Sequence, residues 1–255
     1  MAKVSICIEM LLTEIDLYDR PKRAADLGFP AIEFWGTSGK DIAKMKDSCD
    51  RAGVQVAGFL SPSGIPFVQA QPTAKLVEAM KQTVDIADQL ETHTLIVTVG
   101  NAQEGMSAEE QTDNIVNNLS TIAPLAEDAG LRMAVEPLNT LVDHAGYFLD
   151  RTADGLAIVE RVGSPAIGLL YDAYHMQVME GNLIDTIRAN VGMFNHVHIA
   201  DVPGRMEPGT GEVNYINVLK ALDEAGYEGF CGFEFRPSDS SDAALKRARV
   251  ACGLD

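Results

Sequence analysis

The chain has 255 residues, 46% hydrophobic and 22% charged, enough apolar mass for one large core or for two smaller domains. Acidic residues outnumber basic ones 37 to 20, a formal charge of −17. Such a surface repels phosphate backbones and anionic lipid, so neither nucleic-acid nor membrane binding is expected, and solubility is the plain consequence of the charge.

The chain opens with "MAKVSICIEMLLTEIDLYDR", which lacks a long apolar run and a small-residue cleavage site and reads as a first strand rather than a signal peptide. No later segment approaches the roughly 20 apolar residues of a membrane span. Strands are predicted at 4–10, 31–35, 55–60, 94–100, 132–137, 167–172, 194–200 and 230–235. Each is a short apolar run without strict alternation, as expected where both faces are buried. Helical patterns separate them. One opens with Pro72; another begins at Ser107 with Glu110 three residues on, the signature of a capping box. Five times a helical end reaches a glycine and a strand begins, as in "CDRAGVQVAGFL" and "VERVGSPAIGLLYD". Glycine just past a helix supplies the left-handed closing conformation, and a short αβ loop follows.

The repeat alone establishes α/β without closure, since an open doubly wound sheet carries the same punctuation. Eight βα units in 255 residues match the size of a (β/α)8 TIM barrel, and no GxGxxG follows the first strand, which counts against a dinucleotide fold. With no linker or composition break, residues 1–255 are expected to form a single domain. The four cysteines, Cys7, Cys49, Cys231 and Cys252, show neither CxxC spacing nor a dense framework, and two lie in predicted strands. Free buried thiols and a reducing, cytoplasmic compartment are expected.

In such a barrel, chemistry belongs at the C-terminal ends of the strands. Those ends carry Glu136 on strand 5, Asp172 on strand 6, His198 on strand 7 and Glu234 on strand 8. One acidic residue at a strand end is ordinarily a helix cap or a solvated loop residue. Four potential ligands on consecutive strands point instead to a shared site. By alternation the residues two before them, Ala134, Leu170, His196 and Gly232, share the inward face. Three carboxylates and one imidazole make a hard, oxygen-rich donor set, with Mn²⁺ the first choice and Mg²⁺ or Co²⁺ the alternatives. A metal there polarises a carbonyl and acidifies the adjacent carbon. Glu136 and Glu234, facing each other across the mouth, are then the expected acid/base pair for proton transfer through an enediolate.

Around these four, His175 in "YDAYH" is a substrate contact or a helix-capping or surface histidine. Arg205, after "VPG", is a bidentate substrate clamp or an ordinary surface arginine. His196 touches substrate or is a satisfied barrel histidine. Glu9 and Glu33 line the pocket or are buried and hydrogen-bonded; Trp35 is a pocket wall or packing. His93 is expected to be structural on the opposite face, and His144 is left open. "GTGE" at 209–212 is expected to form a flexible rim that shields the reaction from water.

Over about residues 132–237, "EPLN", "YDAYHMQVMEG", "HVHIADVPGRMEPGTGEVNY" and "GFEFRP" resemble the hydroxypyruvate isomerase family, within the xylose-isomerase-like TIM-barrel group of sugar isomerases and ketose 3-epimerases. The resemblance implies a divalent metal on Glu136, Asp172, His198 and Glu234, with both glutamates in the proton transfer and His175 and Arg205 on the substrate. It also implies a small sugar or hydroxy-keto acid as substrate and a homo-oligomer, dimer or tetramer. Hydroxypyruvate isomerases usually carry Gln in place of His198; a histidine there is similar to the epimerases. After strands 2 and 3 the chain reads "EFWGTSGKD" and "FLSPSGIPFVQAQP" instead of the family's usual Pro-Tyr and its Gly- and Trp-containing loop. The expected function is therefore a divalent-metal-dependent isomerase. A ketose 3-epimerase and an inosose isomerase or dehydratase are the alternatives on the same site, and a metal- or sugar-binding sensor is the non-enzymatic one. A phosphodiesterase of the endonuclease IV type would need more ligands and a basic groove.

Overall fold

A computed structural model describes residues 3–254. Eight parallel strands close in sequence order into a barrel: β1 (Lys3–Cys7), β2 (Ala31–Phe34), β3 (Gln55–Leu60), β4 (Thr94–Val97), β5 (Arg132–Val135), β6 (Ile167–Asp172), β7 (Phe194–Ile199) and β8 (Phe230–Phe233). β8 pairs back onto β1, with Val4 opposite Cys231 and Ile6 opposite Phe233. This is the expected (β/α)8 barrel, and its closure removes every sheet edge.

The helices of the outer ring are α1 (Arg20–Asp26), α2 (Ile42–Ala52), α3 (Thr73–Leu90), α4 (Ala108–Asp128), α5 (Thr152–Val162), α6 (Ala173–Met179), α7 (Leu183–Asn190), α8 (Tyr215–Glu224) and α9 (Ser241–Ala251). The capping box forms as expected: the Glu110 amide donates to Ser107 Oγ, and the Ser107 amide donates to Glu110 Oε2 at 2.9 Å. Gly53 and Gly163 close α2 and α5 in the left-handed conformation, at φ 68° and 65°. His93 lies in the short α3–β4 connection, at the face opposite the strand C-termini, as expected. No helix among the described residues is long and apolar enough to cross a membrane. All four cysteines are buried free thiols.

Several strands end earlier than predicted: β4 at Val97 rather than 100, β5 at Val135 rather than 137 and β8 at Phe233 rather than 235. A parallel ladder lasts only as long as its neighbours run alongside. The apolar runs continue beyond it to form the barrel mouth. Glu136 and Glu234 each sit one residue past the assigned strand but keep its direction, because the Glu136 amide donates to Val97 O at 2.9 Å and the Glu234 amide to Ile199 O at 3.1 Å.

Apolar side chains divide between two regions. Most lie between sheet and helices; inside the barrel, Ile96, Ala134 and Leu170 form a small separate cluster with Leu60 packed against it. That cluster contains two of the four residues expected to face inward. His196 and Gly232 are the other two, and what they surround is polar.

Candidate active site

Four strand ends converge at the mouth. One ligand atom each from Glu136, Asp172, His198 and Glu234 lies within 4.8 Å of all the others, and the four residues are buried. His198 Nδ1 is 3.5 Å from Glu136 Oε1, 3.9 Å from Asp172 Oδ2 and 3.5 Å from Glu234 Oε2. An octahedral Mg²⁺-like ion with ligands about 2.1 Å away sets neighbouring donors about 3 Å apart and opposite donors about 4.2 Å apart, a spacing this cluster accommodates. Glu136 Oε1 and His198 Nδ1 are buried without a hydrogen-bond partner. Buried polar atoms are nearly always satisfied, so two orphans facing one another in a ring of carboxylates fit a cation.

Asp172 serves two purposes. Its Oδ1 caps α6, accepting from the amides of Tyr174 at 2.8 Å and His175 at 3.0 Å, which turns Oδ2 toward His198. A helix cap and a candidate ligand are thus the same side chain.

Glu33, at the end of β2, lies beneath the cluster. Its Oε2 accepts from Ser5 Oγ at 3.0 Å and is hydrogen-bonded to His196 Nε2 at 2.8 Å, while Oε1 is 3.0 Å from His198 Nε2. His196, an expected substrate contact or satisfied barrel histidine, is buried with its Nε2 on this carboxylate. Gly232 is what admits Glu33: a Cβ there would stand 2.1 Å from Glu33 Oε1. His196, Gly232 and Glu33 thus belong to one inward-facing layer. Alternation signalled the first two; matching Glu33 to them required the barrel register.

Charge is shared unevenly. Burial opposes ionisation of Glu33, but the neighbouring His198 and His196 hold its carboxyl down at about 2. Burial likewise opposes ionisation of Glu234, and His198, Arg205 and the Trp35 indole N–H outweigh it and hold the carboxyl far below the usual range. Glu136 has the same burial without a hydrogen bond from Arg205, and its carboxyl is raised, with Glu234 and Asp172 adding repulsion. Burial disfavours a charged His198, yet Glu33 and Glu234 prevail and keep its proton bound well above the ordinary histidine range.

Arg205 is mostly buried, and its Nη2 donates to Glu234 Oε2. Its guanidinium lies 5.6 Å over the Tyr174 ring, and its Nε is orphaned. The backbone at Arg205 is left-handed, at φ 55°, a conformation that costs a non-glycine residue energy and recurs at functional sites. His175 is fully buried. The Asn139 backbone amide donates to its Nδ1, and Asn139 Nδ2 sits 2.6 Å from the same nitrogen. Nδ1 is thus the acceptor and Nε2 carries the proton, unpartnered and 3.5 Å from Asp172 Oδ2. Burial pushes the His175 ring down to about 4, which keeps it neutral. His144, left open by the sequence, packs its ring 5.2 Å from His175 and also has an orphaned buried Nε2.

The loop after β7 is tied down where a flexible rim was expected. The Asp201 carboxylate accepts from the amides of Gly209, Gly211 and Val213 at 2.8–3.0 Å. Glu9 pairs with Lys40 at 2.7 Å rather than joining the cluster.

Residues 21–251 match the family model described as xylose isomerase-like TIM barrel. The chain belongs to this family. It is 30% identical to hydroxypyruvate isomerase of Escherichia coli (strain K12), over 96% of this chain and 98% of that protein. It is 29% identical to 2-oxo-tetronate isomerase of Cupriavidus necator, over 96% of each. Among solved structures, a protein described as AP endonuclease, family 2, from Brucella melitensis superposes with a TM-score of 0.91 at 26% identity, over 96% of this chain and 97% of that one. An L-ribulose 3-epimerase superposes with a TM-score of 0.82 at 24% identity, over 100% and 94%, which establishes the shared fold.

Proposed function

We propose that this family member is a divalent-metal-dependent isomerase acting on a small keto or aldo sugar or hydroxy-keto acid, of the hydroxypyruvate or 2-oxo-tetronate isomerase type. The observation that carries this reading is the convergence of Glu136, Asp172, His198 and Glu234, with Glu136 Oε1 and His198 Nδ1 buried and unpartnered at its centre. Curated relatives matched along nearly the whole chain bear isomerase names, which supports it.

The four residues would hold the ion, with Mn²⁺ the first choice among hard cations. When bound, the metal supplies Lewis acidity toward a carbonyl and its neighbouring hydroxyl. The protein's own groups do the rest. Glu136 and Glu234 flank the substrate, and one removes the proton from carbon while the other returns it. His175 presents a neutral Nε2–H toward the same space, a donor for a substrate oxygen. Arg205 offers its free Nε to a carboxylate or hydroxyl while keeping Glu234 ionised. Burial of the whole set strengthens each contact by excluding water.

Epimerisation at carbon 3 is the second reading, favoured by the histidine in the ligand set and by the fold shared with L-ribulose 3-epimerase. The two differ in where the proton returns: to the neighbouring carbon, with a hydroxyl proton passing between the two enediolate oxygens so that the carbonyl moves, or to the opposite face of the same carbon, with the carbonyl left in place.

The test is solvent-deuterium exchange, with Mn²⁺-loaded protein incubated in D₂O with hydroxypyruvate, tetronates, inososes and ketoses and followed by NMR. Deuterium entering one substrate carbon is expected, and its position separates isomerase from 3-epimerase. Glu136→Gln and Glu234→Gln should each lower turnover by about 10²–10⁴-fold, the usual worth of a positioned acid or base. Full activity in either variant would remove that glutamate from the mechanism.

A further inference from the structure

Trp35 is the only tryptophan of the chain, and it follows directly on the last residue of β2. It is 44% exposed, unlike its buried neighbour Phe34, so core packing does not explain its place. Its Nε1 donates to Glu234 Oε1 at 2.6 Å. β2 and β8 are not neighbours, since β1 runs between them, so the indole reaches across the end of β1 to make this bond. The backbone beneath it is anchored. Lys40 Nζ donates to Trp35 O at 3.0 Å and pairs with Glu9, just beyond β1, at 2.7 Å. Three strand ends are thereby linked through one indole and one lysine.

The consequence falls on the Glu234 carboxylate. With Oε1 held by Trp35, the other oxygen, Oε2, faces the cluster, 3.5 Å from His198 Nδ1 and bonded to Arg205. A glutamate carboxylate held at one oxygen alone, here by Arg205, still has freedom about its last bond, because that torsion is broad. We propose that Trp35 is the positioning residue of Glu234: its indole N–H fixes one carboxylate oxygen so that the other is presented to the metal. This rests on the metal-dependent reading above. Groups that orient a metal-binding side chain commonly contribute about 10–100-fold in affinity.

Trp35→Phe keeps an aromatic ring at the rim and removes only the donor. Mn²⁺ is titrated calorimetrically into the metal-stripped full chain and into this variant. The variant should bind Mn²⁺ about 10–100-fold more weakly. In the parent chain, tryptophan emission, which reports Trp35 alone, should change with the calorimetric midpoint. Equal Mn²⁺ affinity in the two proteins would overturn the inference, with or without a change in melting temperature, and leave the metal site standing. Emission that stays unchanged while calorimetry shows Mn²⁺ saturating the site would also overturn it. A parent chain that takes up no Mn²⁺ would overturn the proposed function and this inference with it.

Discussion

His198 touches both layers of the site, with Nδ1 toward Glu136, Asp172 and Glu234 and Nε2 toward Glu33. A ligating histidine is neutral, so an ion must displace the Nδ1 proton of the ring whose charged form Glu33 and Glu234 favour, while Nε2–H stays on Glu33. It must also displace the proton that burial favours on Glu136. Both groups are raised, so both release protons on binding, and the sign is the same for each. Mn²⁺ affinity should therefore climb as pH rises from about 6 through 8. Calorimetry in buffers of different ionisation enthalpy should register net proton release at pH 7. An affinity independent of pH, with no protons released, would mean that His198 and Glu136 are not ligands. Asp172 shows that a helix cap need not exclude a ligand: one oxygen caps α6 while the other faces the cluster.

Among the elements, β8 carries the most restrictive position. Gly232 lies one residue pair below Glu234, and the space a side chain would fill there is taken by Glu33. Gly232→Ala should displace Glu33 and loosen His196 and His198 together. Overpacking of this kind costs about 1–3 kcal/mol, so the variant should melt lower and also bind Mn²⁺ more weakly. A variant matching the parent in both measurements would show that Glu33 has room to move and does not brace His198. The β7–α8 connection is constrained in a similar way. A Cβ at Gly211 would stand 2.0 Å from Val202 O, so the chain approaches itself too closely for any side chain.

For the whole molecule, three carboxylates, an imidazole and an arginine are held together in one barrel mouth. Bringing like charges into a buried site is unfavourable until a cation balances them. A bound ion should thus stabilise the entire fold. At about 100 times its dissociation constant, Mn²⁺ contributes about 2.7 kcal/mol, or roughly 5–10 °C in a chain of this size. Differential scanning calorimetry after chelation and again after readdition of Mn²⁺ should show this rise, and it should vanish in His198→Ala. No shift at saturating Mn²⁺ would argue against a site that couples to folding.

Much of this was legible in the residues themselves. Local rules decided the helix starts and stops at Ser107, Gly53 and Gly163, because capping depends on a few consecutive residues. The period of βα units indicated eight strands, and the residues at their ends were enough to single out Glu136, Asp172, His198 and Glu234. Closure was different: the pairing of β8 with β1 joins segments more than 200 residues apart, and no local pattern encodes it. Only that closure sets Trp35 against Glu234, seats Glu33 over Gly232 and gives His198 two faces. Strand spacing and register decide such contacts, and they exist only once the barrel has formed.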